Sequence, residues 1–244
     1  MLTGELKNKI DMIWEMFWTG GITNPLDVVE QMTYLMFIHD LDETDAKKAK
    51  SSMMLELPYT SMFEGHEQYK WSVFRDLPAE KMYELMQSEI FPFIKNLHGN
   101  KESTYSRYMS DAIFKIPTPQ LLSKIVDALD TLYIDMAKDI ENDTKGDVYE
   151  SLLAKLSTAG VNGQFRTPRH IIRMMVEMLD PKPDDTICDP ACGTSGFLVA
   201  AGEYLKEKYN NEIFYNSERK DHYNNHMFYG YDMDRTMLRV GAMN

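Results

Sequence analysis

The sequence lacks the features that mark secreted, membrane-embedded and zinc-dependent proteins. Its 244 residues include two cysteines, Cys188 and Cys192, with no His pair at ligand spacing near them, so neither disulfides nor a zinc site is expected. No run of about 18 apolar residues is present, which argues against a transmembrane helix. Residues 1–7 lack a basic stretch followed by an apolar one, unlike a signal peptide. We therefore expect a cytoplasmic protein with no metal centre and no membrane partner.

Basic residues are also few relative to acidic ones. The chain has 26 Lys and Arg against 38 Asp and Glu, a net charge of −12 at pH 7. A protein that binds DNA alone usually presents a basic face or domain, and none is evident here. Either the protein does not contact nucleic acid or a partner supplies most phosphate contacts, and composition leaves both open. The 43% of hydrophobic and 26% of charged residues are ordinary for a globular chain.

The N-terminal region has the periodicity of amphipathic helices. A first helix is predicted to stop at Gly20-Gly21, where glycine ends the helical pattern. Asn24 is placed to cap a second helix, with Pro25 as its first residue, that reaches the Lys47-Lys48 region. The apolar face of the first helix contains Leu6, Ile10, Ile13, Trp14 and Phe17.

Beyond the second helix, helices and connections alternate. Residues 51–77 show no clear period, and residues 104–117 end in Pro117, which Pro119 follows two residues later, so both segments are predicted to be loops or irregular connections. Helices are predicted at 78–97 and at 118–137. The polar segment 138–146 then predicts a domain boundary near its end.

This boundary separates a helical N-terminal domain, residues 1–145, from a second domain, residues 146–244. In the second domain Thr167 is predicted to cap a helix that begins at Pro168. Short strands are predicted at 186–188 and 227–231, with a glycine-rich loop and a helix between them. Helix, strand, glycine loop, helix, strand and acid in this order are typical of the start of a doubly wound, Rossmann-like α/β sheet.

The glycine-rich loop, Asp-Pro-Ala-Cys-Gly-Thr-Ser-Gly at residues 189–196, is the strongest candidate site. Glycines after a strand permit a sharp turn and close approach of a ligand, and the following helix start offers N–H groups to an anion. That anion is a pyrophosphate in dinucleotide enzymes and the methionine carboxylate in S-adenosylmethionine enzymes, whose amino group could donate to Asp189. A tight packing turn is the alternative for a bare glycine pair. The candidate ligand-binding residues are Asp189, Pro190, Ala191, Gly193, Thr194, Ser195 and Gly196.

Two further segments are candidates for the same ligand. Asp232, followed by Met233, ends the second predicted strand, where an acid often accepts from ribose hydroxyls, although an exposed strand-end Asp is the simpler alternative. It lies 36 residues after Gly196 rather than about 20, so an insertion is expected, and the polar residues 210–225 suit it. Ahead of the loop lies a segment that is either a helix-capping loop or a clamp on the cofactor. Its candidate residues are Gly163, Gln164, Phe165, Arg166, Thr167 and Pro168.

These blocks together resemble a known family. The segment 163–169, followed 20 residues after Arg169 by the Asp-Pro-Ala-Cys-Gly-Thr-Ser-Gly-Phe-Leu block, is similar to amino-methyltransferases in which a methionine-binding clamp precedes the glycine loop. Residues 228–232 resemble the next block of that family, and residues 2–25 resemble the helical N-terminal domain of type I restriction-modification M (modification) subunits. The resemblance covers nearly the whole chain. It implies an all-α N-terminal domain followed by the start of a class I S-adenosylmethionine-dependent methyltransferase fold.

The resemblance also implies a function and partners. M subunits transfer methyl from S-adenosylmethionine to adenine N6 in DNA, together with a specificity (S) subunit and a restriction (R) subunit, and two M subunits per complex are expected. The clamp, the glycine loop, Asp232 and Met233 would then hold the cofactor. The family holds the flipped adenine with an Asn/Asp-Pro-Pro-Tyr/Phe motif, but no Pro-Pro pair occurs in this sequence. The resemblance is therefore to the N-terminal part of the family, and we expect no catalytic residue in this chain, which alone would be inactive.

Two other functions remain open at this point. An NAD-dependent dehydrogenase shares the strand, glycine loop and acid, but its Gly-x-Gly-x-x-Gly pattern is interrupted here by Pro190 and Ala191. A non-catalytic assembly module of a restriction-modification complex is the second alternative, and the missing Pro-Pro motif favours it for this chain.

Overall fold

The structure, a computed structural model, describes residues 4–97, 104–138, 144–158 and 167–243. Over these residues the chain is mostly helical, and none of its helices is long and apolar enough to cross a lipid bilayer. The elements in chain order are α1 (Gly4–Thr19), α2 (Pro25–Met54), a 3₁₀ turn (Glu67–Tyr69), α3 (Trp71–Phe74), α4 (Ala79–Leu85), a π-helical turn (Met86–Ile90), α5 (Phe91–Lys95), α6 (Thr104–Met109), α7 (Pro119–Met136), α8 (Thr144–Thr158), α9 (Arg169–Leu179), β1 (Ile187–Asp189), α10 (Gly196–Phe214), α11 (Ser217–Asn225), β2 (Phe228–Gly230) and α12 (Arg235–Met243).

The chain divides into two compact units. The first consists of Met1–Lys101 and Ser110–Gln164, and the second of Glu102–Met109 and Phe165–Asn244. In the first unit α8 packs against α1 and α2. The predicted domain boundary near residue 145 falls just inside the start of α8 and stays a prediction.

The predicted helices of the first unit form, with small changes in their ends. α1 buries the whole of its predicted apolar face, and the pattern at 118–137 corresponds to α7. The Asn24 side chain caps α2 by accepting a hydrogen bond from the N–H of Leu26 at 3.0 Å, and Pro25 is the first helical residue. α2 continues to Met54, so the segment predicted as irregular begins with a last helical turn. Helix caps and apolar periodicity therefore determine this unit's larger helices.

Two buried polar side chains of α2 hold other segments of the first unit. Gln31 is fully buried, and its amide donates to the carbonyl of Ile113 at 3.0 Å and accepts from the N–H of Lys115 at 2.7 Å. The Gln31 amide would be costly to bury without partners, and these two hydrogen bonds satisfy it while they hold the segment between α6 and α7. Nothing in the sequence pattern marks Gln31 for this role.

Asp45 is the second buried polar group. Its carboxylate accepts hydrogen bonds from the hydroxyls of Tyr59 and Ser61 and from the N–H of Met62, and it pairs with Lys70 at 3.2 Å. Burial alone would raise the pKa of the Asp45 carboxyl, but these hydrogen bonds outweigh it and lower that pKa to about 2. The ionised carboxylate thus fixes the irregular chain that follows α2.

The second unit contains a parallel pair of strands. β1 pairs with β2 in a register that aligns Ile187 with Phe228 and Asp189 with Gly230, and the connection between them runs through α10 and α11. The two inward residues Ile187 and Phe228 pack against a cluster on α9 and α10, which consists of Ile172, Val176, Ala200 and Ala201. On the opposite face of the pair Cys188 and Tyr229 are exposed. One face of this sheet is therefore covered by helices of the described chain.

Two local predictions are wrong. The segment 104–117, predicted as a connection, contains α6, whose Tyr105 and Met109 are buried. Two apolar residues four apart are too short a pattern to reveal a helix that depends on tertiary contacts. The N-cap of α9 is Pro168, in an extended conformation with φ −56° and ψ 143°, rather than Thr167. The predicted insertion at 210–225 is itself helical, because it forms the end of α10 and α11.

Candidate cofactor-binding site

The glycine-rich loop joins the carboxyl end of β1 to the amino end of α10. Gly193 has φ +53° and Ser195 has φ +65°, so the main chain enters the left-handed region twice. Glycine adopts this conformation freely, whereas a serine there costs about 1 kcal/mol. The N–H of Ser195 donates to the carbonyl of Cys192 at 2.7 Å. The result is a compact turn that brings the start of α10 to the end of β1.

Asp232 ties this loop to the end of β2. One carboxylate oxygen of Asp232 accepts from the N–H of Gly193 at 2.8 Å, and the other accepts from the N–H of Asp234 at 2.8 Å. The sequence predicted Asp232 as a ligand-binding acid but gave no sign of these main-chain contacts. Each carboxylate oxygen has about two acceptor positions, so the group retains capacity for further donors.

The main chain reinforces the same junction. The N–H of Cys192 donates to the carbonyl of Tyr231 at 2.8 Å, and the N–H of Tyr231 donates to the carbonyl of Asp189 at 2.9 Å. The Asp189 carboxylate accepts from the N–H of Ala191 at 3.0 Å. The structure therefore brings together two of the predicted acids, Asp189 and Asp232, at one end of the parallel strands.

The start of α10 carries the predicted residues 194–196. Ser195 is the N-cap, and its carbonyl accepts from the N–H of Val199 at 2.9 Å. The N–H groups of the first helical turn, from Gly196 onward, have no acceptor within their own helix and carry the positive end of its dipole. Thr194 is buried, whereas Pro190 and Ala191, earlier in the loop, are exposed.

Cys192 lies inside the loop and is buried. Burial raises the pKa of the Cys192 thiol, and the negative charges of Asp189 and Asp232 raise it further. At neutral pH the group is therefore a neutral thiol that packs under the loop, not a thiolate nucleophile.

The two residues that flank Asp232 in the sequence have large, exposed side chains. Met233 is completely exposed, and Tyr231 is 60% exposed. Exposed side chains of this size beside a strand-end acid offer an apolar surface next to polar acceptors, the combination found in small-molecule sites.

The predicted clamp is only partly described. Gly163, Gln164, Phe165 and Arg166 lie outside the described residues. Thr167 and Pro168 are described, and both are exposed ahead of α9. The clamp thus stays a prediction.

One group of metal-ligating side chains lies elsewhere, in the first unit. Among the described residues, His39, Asp40 and Glu43 have ligand atoms within 4.8 Å of one another. The His39 ring is stacked on Tyr133 at 3.5 Å between centroids, and Glu43 pairs with Lys47 at 2.9 Å. These groups already have protein partners, and the sequence predicted no metal site.

Comparison with known proteins gives two family matches. Residues 6–129 match the family described as HsdM N-terminal domain, and residues 140–244 match N-6 DNA Methylase. The methylase subunit of the type I restriction enzyme EcoEI from Escherichia coli is 28% identical over 198 residues, which span 78% of this chain and 39% of that protein. The EcoKI methylase subunit from Escherichia coli K12 is 32% identical over 132 residues, or 53% of this chain and 25% of that protein.

Solved structures share the fold. A protein from Vibrio vulnificus described as a modification subunit of a type I restriction enzyme superposes with a TM-score of 0.73 at 21% identity, over 100% of this chain and 53% of that one. A structure concerned with assembly of a type I restriction-modification system superposes with a TM-score of 0.62 at 23% identity, over 99% of this chain and 48% of that one.

The chain spans about two fifths to one half of the length of such relatives. Its HsdM N-terminal domain match alone covers 124 residues, half of the chain. This chain therefore belongs to the family of type I restriction-modification M subunits.

Proposed function

We propose that this chain supplies the helical domain and the cofactor site of a DNA methyltransferase that transfers methyl from S-adenosylmethionine to adenine N6. The observation that carries the proposal is the Asp232 carboxylate, which accepts from Gly193 at 2.8 Å and so joins the ends of both strands at one loop. Ligands of open α/β sheets bind at the carboxyl ends of parallel strands. Residues 146–244 are then the beginning of a class I, Rossmann-like methyltransferase domain, and residues 1–145 the helical domain.

The chemistry of the loop fits S-adenosylmethionine. The start of α10 at Gly196, with the preceding residues Thr194 and Ser195, would receive the methionine carboxylate, because N–H groups and a positive dipole end favour an anion. Asp189 would accept from the amino group and Asp232 from the ribose hydroxyls. Pro190, Ala191 and Gly193 would form the close main-chain surface, and Met233 would contact the adenine ring. The predicted clamp would close the site, with Gly163, Gln164, Phe165, Arg166, Thr167 and Pro168.

This chain's part in the reaction is to position the donor. When bound, S-adenosylmethionine supplies an electrophilic methyl group on a sulfonium sulfur. Asp232 and the loop restrain the cofactor, and restraint of this kind lowers the entropic part of a bimolecular barrier. The groups that would hold the flipped adenine are not found here, since the chain has no Pro-Pro pair. The chain alone would therefore bind the cofactor without transferring methyl.

Partners follow from the same proposal. The complete protein would act on DNA in the cytoplasm, with two M subunits, a specificity subunit that reads the sequence, and a restriction subunit. The relatives named above are methylase subunits of type I restriction enzymes, which supports a role beside other subunits. The net charge of −12 also favours an arrangement in which other subunits share the phosphate contacts.

A matched pair of glycine variants tests the cofactor site. Gly193 and Gly65 both have positive φ, +53° and +75°, and an added Cβ would meet nothing within 4 Å at either position. Valine therefore imposes a similar backbone cost of roughly 1–2 kcal/mol at both. Only at Gly193 would it also obstruct the ligand.

We expect Gly193→Val to weaken S-adenosylmethionine binding by the complete protein at least tenfold in calorimetry, with Gly65→Val close to wild type. Equal affinities in the two variants would contradict the assignment of the loop. A complete protein that assembles with its specificity subunit but binds no S-adenosylmethionine would favour the alternative function, a non-catalytic assembly module, which the missing Pro-Pro motif supports.

A further inference from the structure

α12 lies directly against the glycine-rich loop at Gly241. A Cβ added to Gly241 would lie 2.6 Å from the hydroxyl oxygen of Ser195 and 3.2 Å from the carbonyl carbon of Thr194. Distances this short mean that the two main chains are separated by the width of a glycine. The loop is thus bounded on this side by the backbone of α12.

α12 is held against α6 by a buried arginine. The Nε of Arg239 donates to the carbonyl of Tyr108 in α6 at 2.9 Å, and Arg239 is only 7% exposed. Met237 and Val240, on either side of Arg239, are fully buried. Since buried guanidinium groups hold one geometry through their hydrogen bonds, Arg239 fixes α12 on α6.

The start of α12 is tied to the same loop. Asp234 caps the helix by accepting from the N–H of Thr236 at 2.8 Å, and its own N–H donates to Asp232. Asp232 in turn holds Gly193. One end of α12 therefore fixes the first left-handed residue of the loop, and Gly241 near its other end contacts the second, Ser195.

We propose that α12, which Arg239 holds against α6, supports the loop and sets the position of Thr194 and Ser195, and thereby the affinity of the loop for its ligand. This inference rests on the proposed function of the loop as the S-adenosylmethionine site. Gly241 and Arg239 are positioning residues in this arrangement, because neither belongs to the loop. A side chain at Gly241 would displace Thr194 and Ser195 without changing the identity of any ligand-contacting residue.

The expected ranking of the two valine variants is the opposite of the ranking that helix propensity predicts. Replacing glycine by valine inside a helix is favourable by a few tenths of a kcal/mol, whereas replacing alanine by valine is unfavourable. Propensity alone would therefore make Gly241→Val harmless and Ala242→Val the weaker variant. Ala242 is the next residue of α12 and is exposed, so the pair compares the same side chain against the loop and in solvent.

The experiment measures S-adenosylmethionine binding by calorimetry on the complete protein. We expect roughly tenfold weaker binding for Gly241→Val, the range given by overpacking, and wild-type affinity for Ala242→Val. Gly241→Ala is a milder second variant in case valine prevents folding, which thermal melting would report.

A double-variant cycle separates positioning from general destabilisation. Ser195→Gly removes the hydroxyl that lies nearest to the added Cβ and suits the positive φ at that position. The loss caused by Gly241→Ala should be smaller in the Ser195→Gly background than in wild type, and additive effects would overturn the proposal. Equal affinities for Gly241→Val and Ala242→Val would overturn it too while leaving the cofactor site intact. Absence of binding by the wild-type protein would instead overturn the proposed function, and this inference with it.

Discussion

Asp232 has two roles in the proposed site: it holds the loop through main-chain hydrogen bonds, and it would accept from the ribose hydroxyls of the cofactor. Substitutions that remove its acceptor oxygens one or two at a time test the first role. Its carboxylate accepts two main-chain hydrogen bonds, from Gly193 and from Asp234, each at 2.8 Å. Hydrogen bonds to a charged acceptor contribute roughly 1.5–3 kcal/mol, and because Asp232 is only half-buried we take the lower figure. Asp232→Ala therefore removes about 3 kcal/mol of restraint on the loop.

If the cofactor must restore that restraint on binding, the affinity falls about a hundredfold, since about 1.4 kcal/mol corresponds to a factor of ten. Asp232→Asn retains one acceptor oxygen but offers an NH₂ group in place of the other, so it should lose about tenfold. Calorimetric titration of the complete protein with S-adenosylmethionine gives both numbers. Asp221→Ala, an exposed acid on α11, removes the same charge away from the loop and should bind like wild type.

The essential result is that the affinity for S-adenosylmethionine falls in the order wild type, Asp232→Asn, Asp232→Ala. An unchanged dissociation constant in Asp232→Ala would return Asp232 to the simpler interpretation, an exposed strand-end acid. Equal losses in the Asn and Ala variants would show that the two main-chain hydrogen bonds do not contribute separately, and would refute the magnitudes given above.

Two further outcomes follow from features of the two units. The pKa of Asp45 is lowered to about 2 in the folded protein from an ordinary 3.8, so its contribution to the free energy of unfolding is present above pH 3.8 and is lost as pH falls from there towards 2. Asp45→Asn should therefore flatten this part of the acid-unfolding curve. A curve identical to that of the wild type would contradict the role of the Asp45 hydrogen bonds. For the 244-residue chain alone, we expect no methyl transfer to DNA from labelled cofactor, and methylation by this chain would contradict that expectation. We also expect a protease-resistant core that extends through α8, because a two-stranded sheet is marginal in water and its unpaired edges invite association. Equal protection of the second unit from proteolysis in a monomer would contradict this second expectation.

The sequence allowed much of the helical architecture to be predicted. The cap at Asn24, and the spacing of apolar residues in α1 and α7, are local signals, and the helices form where those signals lie. α6 was missed because its stability comes from burial against α12, more than 120 residues later in the chain. Propensity and periodicity carry no information about contacts at that separation.

For the candidate site, residue types could be predicted but their contacts could not. The glycines and the two acids were identified from their order relative to the strands, and the structure brings Asp189 and Asp232 to one loop. The hydrogen bond that the N–H of Gly193 donates to Asp232 comes from a loop with left-handed residues at Gly193 and Ser195, and Ser195 is not a residue type that signals such a turn. The contact at Gly241 likewise depends on how a helix lies against a loop.

The discontinuous make-up of the second unit has a consequence for the order in which the protein can fold. Tyr108 and Arg239, which join α6 to α12, are 131 residues apart in the sequence. On a ribosome α6 emerges well before its partner, at a time when α1 to α5 are already available to one another. The apolar side chains of α6 then remain without their α12 contacts while α7 to α11 are synthesised. We therefore expect translation speed across this interval, and chaperones that cover short apolar segments, to influence the yield of native protein.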